Sequence, residues 1–172
     1  MGAVVRGIRH FMDLVDEFFE LLKQHDYEIF DDKIKGSGLS MESLERVLSG
    51  VQLTPQGSKK VRFIRSDANN QFLYVLKSTT PKGFWGPDKN ILDTLAKQTV
   101  PWALVLLHGG STSGYWFPSA SVLACILKAE WRLGKDGYSY KVNAPNQVRR
   151  GEKFITPNRI LTFVAQPGVT AA

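Results

Sequence analysis

The sequence predicts an α/β fold: a single domain with a mixed central β-sheet flanked by helices. Three observations lead there. Lys59-Lys60-Val61-Arg62-Phe63-Ile64-Arg65 and Gln71-Phe72-Leu73-Tyr74-Val75-Leu76-Lys77-Ser78 are β-rich runs joined by the polar corner Ser66-Asp67-Ala68-Asn69-Asn70, the pattern of a hairpin. The second run is almost wholly apolar, as in a strand buried on both faces, yet it finishes on Lys77 and Ser78. A helical segment from Asp88 to Gln98 then leads to a third buried run, Trp102 to Leu107, which makes a crossover and a returning strand.

Taken in order, Ile8 to Gln24 is the clearest helix, because Ile8, Phe11, Met12, Val15, Phe18, Phe19 and Leu22 recur at three- and four-residue spacing. Its opposite side carries Asp13, Asp16, Glu17, Glu20 and Lys23, a solvated face on the simplest reading. Tyr27 to Phe30 reads as a short strand, residues 31–38 as an exposed loop, and Ser40 to Leu48 as a short helix with Ser40 as its cap. The loop from Ser78 to Pro87 holds two glycines, two prolines, Lys82 and the adjacent aromatics Phe84 and Trp85. Asp88 caps the helix that follows, and Ile91, Leu92, Leu95 and Ala96 face inward. His108 to Gly114 is a flexible turn, Tyr115 to Phe117 an adjacent strand, and Ala120 to Trp131 a helix. Tyr138 to Val142 alternates like an edge strand, Asn146 to Lys153 is a loop of low apolarity, and a last helix runs from Pro157 to Val164. The domain spans 1–165, and 166–172 form a frayed tail.

With 43% apolar and 11% aromatic residues, the chain can build a substantial core. No apolar run reaches the roughly 18 to 20 residues that cross a bilayer, and no signal-peptide pattern opens the chain, so the expectation is a soluble cytoplasmic protein without a membrane partner. Cys125 is the single cysteine, which rules out an internal disulfide and a cysteine-built zinc site and predicts a buried structural thiol. Charge is polarised: residues 1–50 carry ten acids against six bases, whereas 51–172 carry sixteen bases against six acids. That asymmetry points to a polyanionic partner, nucleic acid before an acidic membrane surface. The acidic first helix either turns nucleic acid away from one side or docks on the basic patch of a second copy, as a homodimer.

Binding would use Lys59, Lys60, Arg62, Arg65 and Lys82 around the hairpin, with Arg149, Arg150 and Lys153 as a second basic group that folding brings nearby. Phe84 and Trp85 on their glycine-flanked loop are candidates for stacking on a base or wedging a groove, followed by Tyr115 and Trp116. Trp102 and Trp131 read as core.

The order helix, strand, hairpin ending in lysine, helix, strand, strand resembles the core of the restriction-endonuclease-like nucleases, archaeal Holliday-junction resolvases among them. The resemblance covers about residues 8–127. It implies a divalent-metal site, Mg²⁺ in the usual case, held by a carboxylate on the first hairpin strand and an acid-x-Lys element on the second. Lys77 matches the catalytic lysine of that element, and Val75 stands where its acid would be. Lys60 or Arg62 occupies the other carboxylate position. The remaining acids that the resemblance offers are Asp67 in the turn and Glu17 or Glu20 on the first helix, with Asp67 and Glu17 as metal ligands. The motif is therefore incomplete, and it implies a nuclease-like scaffold that binds nucleic acid, DNA in the first place, through a degraded or atypical metal site.

Two alternatives remain open at this stage: an active metal-dependent endonuclease, and a reader of modified bases in which Trp85 and Trp116 face each other across a cavity. Leu106-Leu107-His108-Gly109-Gly110 is similar to the oxyanion turn of α/β-hydrolases, but no Gly-x-Ser-x-Gly elbow accompanies it. His10, His25 and His108 lack ligand spacing.

Overall fold

The computed structural model describes residues 14–24, 28–30, 61–65, 70–97, 101–108, 113–155 and 159; for 14–16, 28–30, 61–65 and 70–72 the description is of the backbone alone. The elements expected at 31–38, 40–48 and 166–172 lie outside these residues, as does 157–164 except for residue 159.

In chain order the elements are α1 (Leu14–Gln24), β1 (Glu28–Phe30), β2 (Val61–Arg65), β3 (Asn70–Ser78), β4 (Phe84–Trp85), α2 (Lys89–Ala96), β5 (Trp102–His108), β6 (Gly114–Pro118), α3 (Ser119–Leu127), β7 (Arg132–Leu133), β8 (Tyr140–Asn143) and β9 (Glu152–Phe154). Six strands form the main sheet in the order β1-β2-β3-β5-β6-β9. The predicted hairpin is β2 and β3, paired from Val61↔Tyr74 to Arg65↔Asn70. β3 and β5 run parallel, from Phe72↔Trp102 to Ser78↔His108. Parallel neighbours cannot be joined by a tight turn, and α2 lies within the crossover that joins them. The sheet is therefore mixed, as the sequence predicts.

Side-chain alternation sorts the central strands into two buried layers. Tyr74, Leu104, Leu106 and Phe117 pack with Ile91, Leu92 and Leu95 of α2 and Val122 and Cys125 of α3. On the opposite face, Leu73, Val75, Ala103, Val105, Leu107, Trp116 and Phe154 pack with Phe18, Phe19 and Leu22 of α1. Both faces of β3 are thus covered, which accounts for its unbroken apolar run.

α2 begins where its cap predicts. The Asp88 carboxylate accepts the Asn90 N–H at 2.8 Å and the Ile91 N–H at 3.2 Å, while the Asp88 N–H donates to the Tyr74 hydroxyl at 3.1 Å. Burial raises the Tyr74 phenol far above its ordinary value, so it is a neutral hydrogen-bonding group. The helix ends at Ala96, which is exposed rather than inward-facing.

Two expectations about the second half need correction. β8 is not an edge strand of the main sheet; it is the middle of a separate three-stranded sheet, β4-β8-β7. Residues 152–154, expected in a loop, form β9 at the edge of the main sheet, paired from Gly114↔Phe154 to Trp116↔Glu152. Phe154 alone is apolar in that strand, and its burial holds it to the α1 face. Cys125 is buried as expected, with its thiol pushed up to about 11, chiefly by burial. Among the described residues, no helix is long and apolar enough to cross a membrane.

Candidate functional site

Three strands of the main sheet, β3, β5 and β9, finish at one rim, where β6 begins. In sheets with parallel strands, the carboxyl-terminal rim is the usual place for a ligand, because loops there diverge from the ladder. Lys77 is the penultimate residue of β3, exposed, in register with Leu107 and on the same face as Leu73 and Val75. It projects from the α1 layer at this rim.

The next residue points the other way. Ser78 is buried, and its hydroxyl oxygen accepts the Phe84 N–H at 2.9 Å and the Thr80 N–H at 3.3 Å. This knot folds the Thr80–Gly83 turn back over the rim, closed by the Gly83 N–H to the Thr80 carbonyl at 3.2 Å. Lys82 stands exposed on that turn. Gly83 has φ +85°, and a Cβ there would lie 2.7 Å from Cη2 of Trp85, so both conformation and space select glycine.

Trp85 is 1% exposed. Its indole N–H donates to the Leu107 carbonyl at 2.8 Å, and its ring meets His108 and Tyr115 edge-on, each at 5.9 Å between centroids. His108 Nε2 lies 3.0 Å from the Pro81 carbonyl. Since that oxygen only accepts, Nε2 carries the proton and the imidazole is oriented. Together these contacts build one wall of a groove of about 370 Å³, lined by Lys82, His108, Ser113, Tyr115, Pro145, Lys153 and their neighbours. Among the described residues its lining holds two lysines, a histidine and two hydroxyls, and no carboxylate. Lys153 reaches it from β9, opposite Tyr115 in register. Pro145 reaches it because the Ala144 N–H donates to the Gly83 carbonyl at 3.1 Å. Neither Lys82 nor Lys153 takes part in the ion pairs Lys23–Glu20, Lys89–Asp93 and Arg150–Glu130.

Of the other residues singled out from the sequence, only some are described. Lys59, Lys60 and Asp67 lie outside the described residues, and Arg62 and Arg65 are placed only as backbone within β2. Phe84 is 42% exposed and keeps a surface suited to stacking. Trp85 does not: as a stacking residue it is corrected to a core residue whose one polar atom is satisfied internally. The facing pair Trp85 and Trp116 is likewise overturned, because the two lie in different buried layers on opposite faces of the sheet. Arg149 and Arg150 are not among the residues that line the groove with Lys153. Arg150 grips Glu130 with Nε 2.9 Å from both carboxylate oxygens and Nη2 2.6 Å from one, and Arg149 Nη2 lies 3.4 Å from the Asn146 side-chain oxygen. That pairing lowers the Glu130 carboxyl and raises the Arg150 guanidinium.

Glu17 is half-buried on α1, in the layer from which Lys77 projects, and Glu20 is exposed and paired with Lys23 at 3.2 Å. A hard cation needs several oxygen ligands. Val75 is fully buried among apolar side chains where the resemblance would place an acid. Among the described residues no group of three histidine, cysteine, aspartate or glutamate side chains is arranged to hold a metal ion. Among the described residues, Glu17 and Glu20 therefore lack the companion ligands that a divalent cation would need.

The sequence reading overlooked His108 and Ser113 as parts of a site. The available signal was alternation: His108 follows Leu104 and Leu106 on one face of β5, and Tyr115 pairs with Leu106 across the β5–β6 ladder. What alternation cannot supply is Lys153, because β9 is too short and polar to be recognised as a strand. Comparisons of the chain with family models, with curated proteins and with solved structures return no match in any of the three.

Proposed function

We propose that this chain binds nucleic acid, DNA in the first place, along the carboxyl-terminal rim of its main sheet, on a scaffold like that of the restriction-endonuclease-like nucleases. The observation that carries this reading is the groove in which Lys82 and Lys153, far apart in sequence, line one surface with no acid among the described residues that line it. Lysines gathered on a surface without carboxylates are the electrostatic footprint of a phosphate backbone. Lys77 extends that footprint to the α1 side of the same rim, and the exposed Phe84 ring offers a platform for an unstacked base. The scaffold reading is supported by element order: a helix, a three-stranded antiparallel meander, a crossover helix and a parallel strand, with helices on both faces. In this reading the protein engages the backbone through lysines.

Binding to duplex, branched and single-stranded DNA, followed by anisotropy over a series of salt concentrations, tests the proposal. Each of Lys77→Ala, Lys82→Ala and Lys153→Ala is expected to weaken binding and reduce the log–log salt slope by roughly 1, the signature of one lost phosphate contact. Slopes unchanged in all three variants would remove the rim as the binding surface.

A further inference from the structure

We propose that the Lys82–Lys153 groove is a phosphomonoester site, which takes the terminal phosphate of a nucleic-acid strand or a free mononucleotide in preference to an internal phosphodiester. The inference rests on the nucleic-acid reading only for the source of the phosphate.

Three features point there. The first is charge: an internal phosphodiester carries one negative charge, whereas a phosphomonoester carries about 1.5 to 2 near neutral pH, with three acceptor oxygens. Lys82 and Lys153 face one groove and supply two positive charges and up to six N–H donors, with the Tyr115 and Ser113 hydroxyls beside them. The second is size. At about 370 Å³ the groove lies at the small end of ligand pockets, which run from about 300 to 1,000 Å³, so it suits one nucleotide rather than a duplex segment.

The third is rigidity. The Trp85 indole is pinned to the Leu107 carbonyl, His108 is oriented by Pro81, and the Pro145 segment is tied to Gly83 through the Ala144 N–H. Groups held this way need little ordering when a ligand arrives. Pro145 and Ile155, the latter 73% exposed, give the groove an apolar lip for the sugar or base that follows the phosphate.

The test is a set of anisotropy titrations of the full chain with one DNA strand made in three forms: 5′-phosphorylated, 3′-phosphorylated, and hydroxyl at both ends. Competition by adenosine monophosphate and by inorganic phosphate completes the set. A phosphorylated end should bind about tenfold more tightly than the hydroxyl-ended strand, as expected for added charge-assisted hydrogen bonds. Lys153→Ala and Tyr115→Phe should shrink that ratio, with thermal melts showing that each variant is folded.

Equal affinity for all three forms overturns the phosphomonoester site while the nucleic-acid reading stands. Binding of adenosine monophosphate in a direct calorimetric titration, without binding of any strand, upholds the site and overturns the nucleic-acid reading. No binding of either kind overturns both.

Discussion

A methyl group at Gly83 would press on the Trp85 ring from a backbone that L-residues rarely adopt. Gly83→Ala is therefore expected to destabilise the fold by about 1–3 kcal/mol, read from denaturant midpoints, because left-handed strain and the clash act together. Residue-scale roles were legible wherever a local rule decides them. Asp88 caps α2, Trp102 and Trp131 are core, and Cys125 is a buried thiol, all as their immediate sequence suggests. Trp85 and Arg150 were illegible for one physical reason. The Leu107 carbonyl that engages Trp85 is 22 residues away, and the Glu130 carboxylate that engages Arg150 is 20 residues away, so no local pattern announces either partner.

At the scale of elements, α2 depends on its first turn. Two of its amide N–H groups are satisfied by Asp88. Asp88→Ala should lower stability by about 0.5–2 kcal/mol, whereas Asp88→Asn, another good cap, should lose less; urea titrations of the two variants give the comparison. β3 and β5 were readable because burial on both faces leaves continuous apolar runs. β9 escaped notice because one buried phenylalanine and backbone pairing to β6 are enough to hold it. β8 alternates as a strand should, but alternation says nothing about which sheet a strand joins, and its pairing with β4 is fixed by contacts around Gly83 and Ala144.

For the whole molecule, charge and pairing set the response to conditions. The Arg150 hydrogen bonds hold the Glu130 carboxyl below its ordinary value of 4.5, with the nearby positive charges adding to the effect. A carboxyl whose folded value is depressed contributes stability above its unfolded value and loses it as pH falls through the folded one. Glu130→Gln should therefore be less stable than the parent at neutral pH, and the gap should close on acidification below about 4.5, as followed by thermal melts across that range. The contribution is modest, since both partners are exposed. The net charge of +6 was visible from composition, and it favours encounter with polyanions at low salt. Its distribution was not visible, because Lys82 and Lys153 become neighbours only when β6 pairs with β9 and the turn after β3 folds back over the rim.

The indole beneath that rim has a further consequence. Trp85 lies edge-on to both His108 and Tyr115, two rings that line the groove. Its excited state senses the field of whatever charge settles above it. If the groove takes an anion as proposed, this interior indole is the optical gauge of its occupancy.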